Sequence, residues 1–183
     1  VFKQGGLKLD DDEETEIEQF LQAPADLFGS QIGRVVNIEA QKACYTTFLI
    51  SLFPKKKPDT PLKLVIDCSN GAASTLALEV FNQPGITARG IHLSPDGRNI
   101  NQGCGSQHLA PLQKEVRAHQ ADIGIAFDGD ADRMIAIDET GTHVTGDRVL
   151  AICGNHEKQK STLKNNTIVS TIMSNIGLVN TLK

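Results

Sequence analysis

The chain has 183 residues, 39% hydrophobic and 22% charged, enough apolar material for one ordinary domain with pieces of its neighbours. A formal charge of −4, a single Tyr and no Trp argue against a basic phosphate-backbone binder and against an aromatic platform for single-stranded nucleic acid. No apolar run approaches the length that crosses a bilayer, so neither nucleic acid nor membrane is expected as a partner.

Residues 10–22 place acids ahead of Ile17, Phe20 and Leu21 at helical spacing. Acids suit the positive end of a helix dipole, so a helix is predicted there. A longer helix is predicted over 35–53, with Val36, Ile38, Ala43, Phe48 and Leu52 apolar, ending before Pro54. The proline-interrupted, lysine-rich segment that follows, PKKKPDTP, reads as a linker. Short apolar runs then alternate with amphipathic stretches. Strands are expected at 62–67, 86–93, 122–127, 133–138 and 167–173. Helices are expected at 71–81, 108–120, 147–157 (with Thr145 as its cap) and from about 174, and a turn at 139–141. Such alternation implies an α/β layer fold with binding loops at strand ends.

Cys44, Cys68, Cys104 and Cys153 form no CxxC pair, and a chain of this size needs no disulfide. They read as reduced thiols of a cytoplasmic protein. The chain opens at Val1 rather than Met, and residues 176–183 read as a helix cut short, so a piece of a longer protein is expected.

The chemistry concentrates in residues 127–133, Phe-Asp-Gly-Asp-Ala-Asp-Arg. Asp128, Asp130 and Asp132 stand at i, i+2 and i+4. In a regular strand they would share one face and repel, whereas in a curled loop they converge on one centre. Three converging anions need a cation, and oxygen-only ligands suit a hard divalent ion such as Mg²⁺. Arg133 follows at once, a fixed cation able to grip a phosphate. A divalent metal beside an arginine is equipment for phosphoryl transfer. Two other readings compete: a solvated turn that binds nothing, and a non-catalytic divalent-metal module of the calcium-loop kind. Asp128, Asp130, Asp132 and Glu139 do fall at positions 1, 3, 5 and 12 of a calcium loop. Position 6, which needs glycine, is however Arg133, and both flanks are strand-like.

Weaker features surround the loop. Asp67-Cys68-Ser69-Asn70-Gly71 lies where a strand turns into a helix, either a cradle of amides for an anion or a plain capping turn. Cys104 and His108 lack a third orienting group, so nucleophilic chemistry is a poor reading of them. His92, His119, His143 and His156 show no metal-ligand spacing and read as surface or structural.

FDGDADR resembles the metal-binding loop of the α-D-phosphohexomutase superfamily, usually DGDxDR. DCSNGAA (67–73), PDGRNIN (95–101), CGSQH (104–108), ADIGIAFDGDADR (121–133) and TIMSNIGL (171–178) resemble, in the same order, segments of the bacterial phosphoglucosamine mutase branch. The resemblance implies a phosphohexomutase-type domain with a mixed β-sheet between helices, plus parts of two similar neighbours. Residues 1–53 would end domain 1, 54–60 would be a linker, 61–158 would be domain 2 with the metal loop, and 159–183 would start domain 3. It implies an isomerase that interconverts glucosamine 6-phosphate and glucosamine 1-phosphate through a phosphoserine and Mg²⁺, towards UDP-N-acetylglucosamine and peptidoglycan. Asp128, Asp130 and Asp132 match the Mg²⁺ ligands, and Arg133 matches the arginine beside the phosphoserine. A phosphomannomutase or phosphoglucomutase parent is the near alternative. The family's serine loop would precede Val1 and its sugar-reading loop would follow Lys183, so the fragment alone is expected to be inactive. Thr145 departs from the aspartate that many relatives carry there.

Overall fold

The computed structural model describes residues 2–22 and 33–181. The chain divides into two compact units, Val1–Ile38 and Glu39–Lys183.

In the first unit, α1 (Asp11–Gln22) starts with a reciprocal cap. Asp10 Oδ1 accepts the Glu13 amide at 3.1 Å, and the Asp10 amide donates to Glu13 Oε2 at 3.0 Å. Two otherwise orphaned donors are satisfied at once. Lys3 Nζ bridges Asp10 and Glu13 at 3.0 and 2.8 Å, and its pairing with Glu13 and then Asp10 raises its pKa. The predicted stripe of Ile17, Phe20 and Leu21 stays exposed.

The second unit is built on a five-stranded mixed sheet in the order β2-β1-β3-β4-β5, with β1 Leu62–Asp67, β2 Ile86–Ile91, β3 Ile123–Phe127, β4 Met134–Asp138 and β5 His143–Val144. β1 runs parallel to β2 and β3, and β4 is antiparallel to β3 and β5. The two-residue alternation of a strand sends neighbours to opposite faces. Val65 and Ala126 accordingly pack with Leu112 and Val116 of α4 (Ala110–His119) and with Ile137. Leu64, Ile66, Ile125 and Phe127 pack with Ala73 and with Ala77 and Phe81 of α3 (Ala77–Phe81). The sheet is therefore covered on both faces, as expected of an α/β layer. α2 (Glu39–Ser51) lies against α3, and Phe53, just beyond it, meets Phe81 edge-on at 5.7 Å.

Gly124 lets α4 approach. A Cβ there would lie 2.6 Å from Val116 Cγ2 and 3.2 Å from Leu112 Cδ1. Gly124→Val should therefore lose about 1–3 kcal/mol by overpacking a filled core, read as a lower urea midpoint at unchanged slope.

Several boundaries differ from the sequence reading. The helix predicted from 35 begins at Glu39, because Val35, Val36 and Ile38 are β-branched and poor helix formers. The helix predicted over 71–81 splits into a 3₁₀ turn (Ala72–Thr75) and α3 at Leu76, whose φ of −122° departs from helical geometry. β2 stops at Ile91 because His92 adopts a φ of +52°. No strand forms at 167–173 among the described residues, and Val169, Ile172 and Met173 are exposed there. A strand needs a ladder to join, and no described strand lies beside this one. Thr145 does cap α5 (Gly146–Gln159), accepting the Arg148 amide at 3.4 Å. The last helix, α6 (Ile176–Thr181), starts at Asn175, whose Oδ1 accepts the Gly177 amide at 2.7 Å.

Candidate metal centre

Residues 128–133 connect β3 to β4 and close on themselves. The Asp128 amide donates to Arg133 C=O at 3.3 Å, the Ala131 amide to Asp128 C=O at 3.2 Å, and the Arg133 amide to Asp128 Oδ1 at 3.2 Å. Ala131 takes a φ of +61°, the left-handed step that curls the chain. Gly129 serves a different need, close approach. A Cβ on it would lie 2.7 Å from Ile100 Cδ1, and one on Gly71 would lie 2.2 Å from Gly129 C=O. The bend is thus pressed onto the turn after β1.

Carboxylate oxygens of Asp128, Asp130 and Asp132 lie within 4.8 Å of one another. Asp128 is buried, while Asp130 and Asp132 are exposed. Arg133 folds back over them, Nη2 at 2.7 Å from Asp128 Oδ2 and Nε at 3.0 Å from Asp132 Oδ1. The first contact is an ion pair without hydrogen-bond alignment, so buried Asp128 Oδ2 keeps a free acceptor. Burial pushes the Asp128 pKa up, but the Arg133 amide, the shared contact with Asp132 and the Arg133 charge outweigh it and hold the group below its ordinary value. It therefore stays anionic at neutral pH, and any stability drawn from this pairing is lost only as pH falls through that lowered value. An inward-facing, under-satisfied carboxylate with two exposed partners suits a hard divalent cation. The Arg133 side chain is 75% exposed while it pairs with both carboxylates.

The calcium-loop reading fails on the flanks, which are the antiparallel strands β3 and β4 rather than helices. The turn after β1 is no open anion cradle either. The Ser69, Asn70, Gly71 and Ala72 amides are taken by Asp67 Oδ1 and by the carbonyls of His92, Cys68 and Gly129. His108 is exposed while Cys104 is buried, and burial followed by the Asp67 charge raises the Cys104 thiol pKa, so that pair offers no nucleophile. A cleft of about 560 Å³ lined by Leu49, Phe53, Leu76 and Phe81 reaches Asp130, but its apolar wall does not suit a phosphate.

Sequence reasoning missed what lies beneath the loop. Asp67, fully buried at the end of β1, accepts the Ser69 amide on Oδ1 and the Gly105 amide on Oδ2, both at 2.9 Å, and lies 3.0 Å from His92 Nδ1. The Ser69 hydroxyl donates to Phe127 C=O, the last carbonyl before the acidic loop. These residues are spread over 67–127 and make no spacing motif. The one available signal was an aspartate directly after the apolar run Leu64-Val65-Ile66.

Residues 43–141, more than half of the chain, match the family model described as phosphoglucomutase/phosphomannomutase, alpha/beta/alpha domain II. The chain belongs to the phosphoglucomutase/phosphomannomutase family. It is 47% identical to a phosphoglucosamine mutase from Desulforapulum autotrophicum, over 100% of this chain and 43% of that protein. It is 42% identical to a phosphoglucosamine mutase from Geotalea daltonii, over 97% of this chain and 40% of that one. The crystal structure of a phosphoglucomutase/phosphomannomutase family protein from Burkholderia thailandensis superposes with a TM-score of 0.56 at 27% identity, covering 66% of this chain and 26% of the other. The chain thus spans about two fifths of the length of these phosphoglucosamine mutases. No helix among the described residues is long and apolar enough to cross a membrane.

Proposed function

We propose that the chain is an interior segment of a phosphoglucosamine mutase, an isomerase that interconverts glucosamine 6-phosphate and glucosamine 1-phosphate. The observation that carries this reading is the buried, under-satisfied Asp128 carboxylate converging with Asp130 and Asp132 beside Arg133. The relatives named phosphoglucosamine mutase choose the branch. In this reading residues 1–53 end the first domain, 54–60 link it to the second, 61–158 carry the metal loop, and 159–183 begin the third. The parent protein works in the cytoplasm on a phosphosugar, and its catalytic serine lies outside this segment.

Asp128, fixed by the fold, and the exposed Asp130 and Asp132 would hold Mg²⁺. The bound ion supplies positive charge against the negative charge that builds on a phosphoryl group in transfer. Arg133 acts as a catalytic residue, leaving its present partners to meet phosphate oxygens with its planar fork of donors. A phosphomannomutase or phosphoglucomutase parent is the second reading, favoured by the family model, whose description names those two enzymes.

Calorimetric titration with Mg²⁺ tests the site. The chain should bind one ion, and Asp130→Asn should bind it at least about tenfold more weakly, since losing even an outer-shell partner of a ligand costs about ten- to a hundredfold and here a direct ligand loses its charge. An equal response from both proteins would remove the metal site. The branch is tested separately, by offering the full-length parent the 6-phosphates of glucosamine, mannose and glucose; turnover of the glucosamine compound no faster than the others would overturn it.

A further inference from the structure

Beneath the metal loop, three side chains of different chemistry meet that the mutase reading does not use. Asp67 closes β1, His92 follows β2, and Cys104 precedes the 3₁₀ turn Gly105–Gln107. One donor atom from each lies within 4.8 Å of the others. Asp67 and Cys104 are fully buried, and the His92 side chain is 29% exposed. The hydrogen bonds to the Asp67 carboxylate come from the uncharged amides of Ser69 and Gly105. His92 Nδ1 is buried and points at it from 3.0 Å without an aligned hydrogen bond. Asn70 Nδ2 stands 4.0 Å from Cys104 Sγ, the outer limit of a contact to sulfur. A buried carboxylate of this kind needs a cation, and buried charges are paired or coordinate metals.

We propose that Asp67, His92 and Cys104 form a second metal site, specific for a divalent transition ion of the zinc class and chemically distinct from the carboxylate loop. Sulfur, imidazole and carboxylate together are the mixed donor set such ions take, whereas Mg²⁺ takes oxygen alone. Three protein ligands leave a fourth position for water, and the partly open His92 edge gives the ion a way in. Binding releases the thiol proton to solvent, the thiolate and carboxylate offset the ion's charge, and no redox change occurs. The bound ion ties the ends of β1 and β2 to the segment at Gly105, directly behind Phe127 C=O and the start of the Mg²⁺ loop.

Co²⁺ reports such a site through a thiolate-to-cobalt band in the near ultraviolet. The titration uses the whole chain with Cys44→Ser and Cys153→Ser, which removes the exposed thiols. One equivalent of Co²⁺ should develop the band, Zn²⁺ should abolish it, and a large excess of Mg²⁺ should leave it unchanged. Asp130→Asn should retain it and Cys104→Ser should lose it. His92→Asn, which tolerates the positive φ at that position, should weaken Co²⁺ binding at least about tenfold. The site is overturned if one equivalent gives no band, if the band survives Cys104→Ser, or if His92→Asn binds as tightly as its parent. Should far-ultraviolet dichroism show Cys104→Ser unfolded, His92→Asn decides alone.

Discussion

Asp67→Ala should lower the unfolding free energy by about 4 kcal/mol. Removing the carboxylate strands the Ser69 and Gly105 amides, each donating at 2.9 Å inside the protein. A buried donor left without an acceptor costs about 1–3 kcal/mol, and here two are orphaned together, with a cavity added. Asp67→Asn separates the contributions. It keeps the side chain's volume and one carbonyl oxygen, so one amide stays satisfied and the loss should be roughly half. Urea unfolding at constant slope measures both, and hydrogen exchange at the Gly105 amide reports the same event locally. A loss below about 1 kcal/mol for Asp67→Ala would mean that the amides find other partners, and Asp67 would no longer be the hub beneath the loop.

The difference between what the sequence showed and what it hid follows from the range of the interactions. β1, β3 and β4 were legible because their apolar runs reflect burial on a sheet with both faces covered, an effect carried by each residue alone. Asp128, Asp130 and Asp132 were legible as a group because the ladder between β3 and β4 brings their flanks, seven positions apart, side by side. The segments between 67 and 133 that carry the family resemblance fall inside the stretch the family model matches, residues 43–141, while 171–178 lies beyond it. The break at Leu76 was not legible, because no Gly or Pro marks it anywhere in residues 72–81. The 167–173 segment misled for the opposite reason. Its composition is that of a strand, but pairing is a property of a neighbour, and no described strand supplies one. His92 read as structural because its partners Asp67 and Cys104 are brought to it by the parallel pairing of β1 with β2 and by the turn at Gly105.

Gly105→Ala should be nearly as damaging as Asp67→Ala, through sterics rather than lost polarity. Gly105 sits at φ +75°, where an added Cβ is strained, and that Cβ would lie 1.9 Å from Ser69 Oγ and 2.8 Å from Phe127 C=O. The backbone carbonyl cannot give way cheaply, because β3 is held on both sides by β1 and β4. Overpacking of this kind costs about 1–3 kcal/mol, and the left-handed conformation adds roughly 1 kcal/mol more. The expected loss is therefore about 3 kcal/mol, read from the urea midpoint. The displaced Phe127 carbonyl is the last before Asp128, so Mg²⁺ affinity should fall in the same variant although no ligand is touched. Adding Ser69→Gly separates crowding from backbone strain. Ser69 has a φ of +57°, which glycine accepts, and its removal opens the nearer clash. The double variant should then be more stable than the two single losses summed, with a coupling of about 1 kcal/mol or more between residues in direct contact. Simple additivity would leave the strain to the backbone at Gly105 and to the Phe127 carbonyl, and an unchanged Mg²⁺ affinity in Gly105→Ala would break the proposed mechanical link from this turn to the acidic loop.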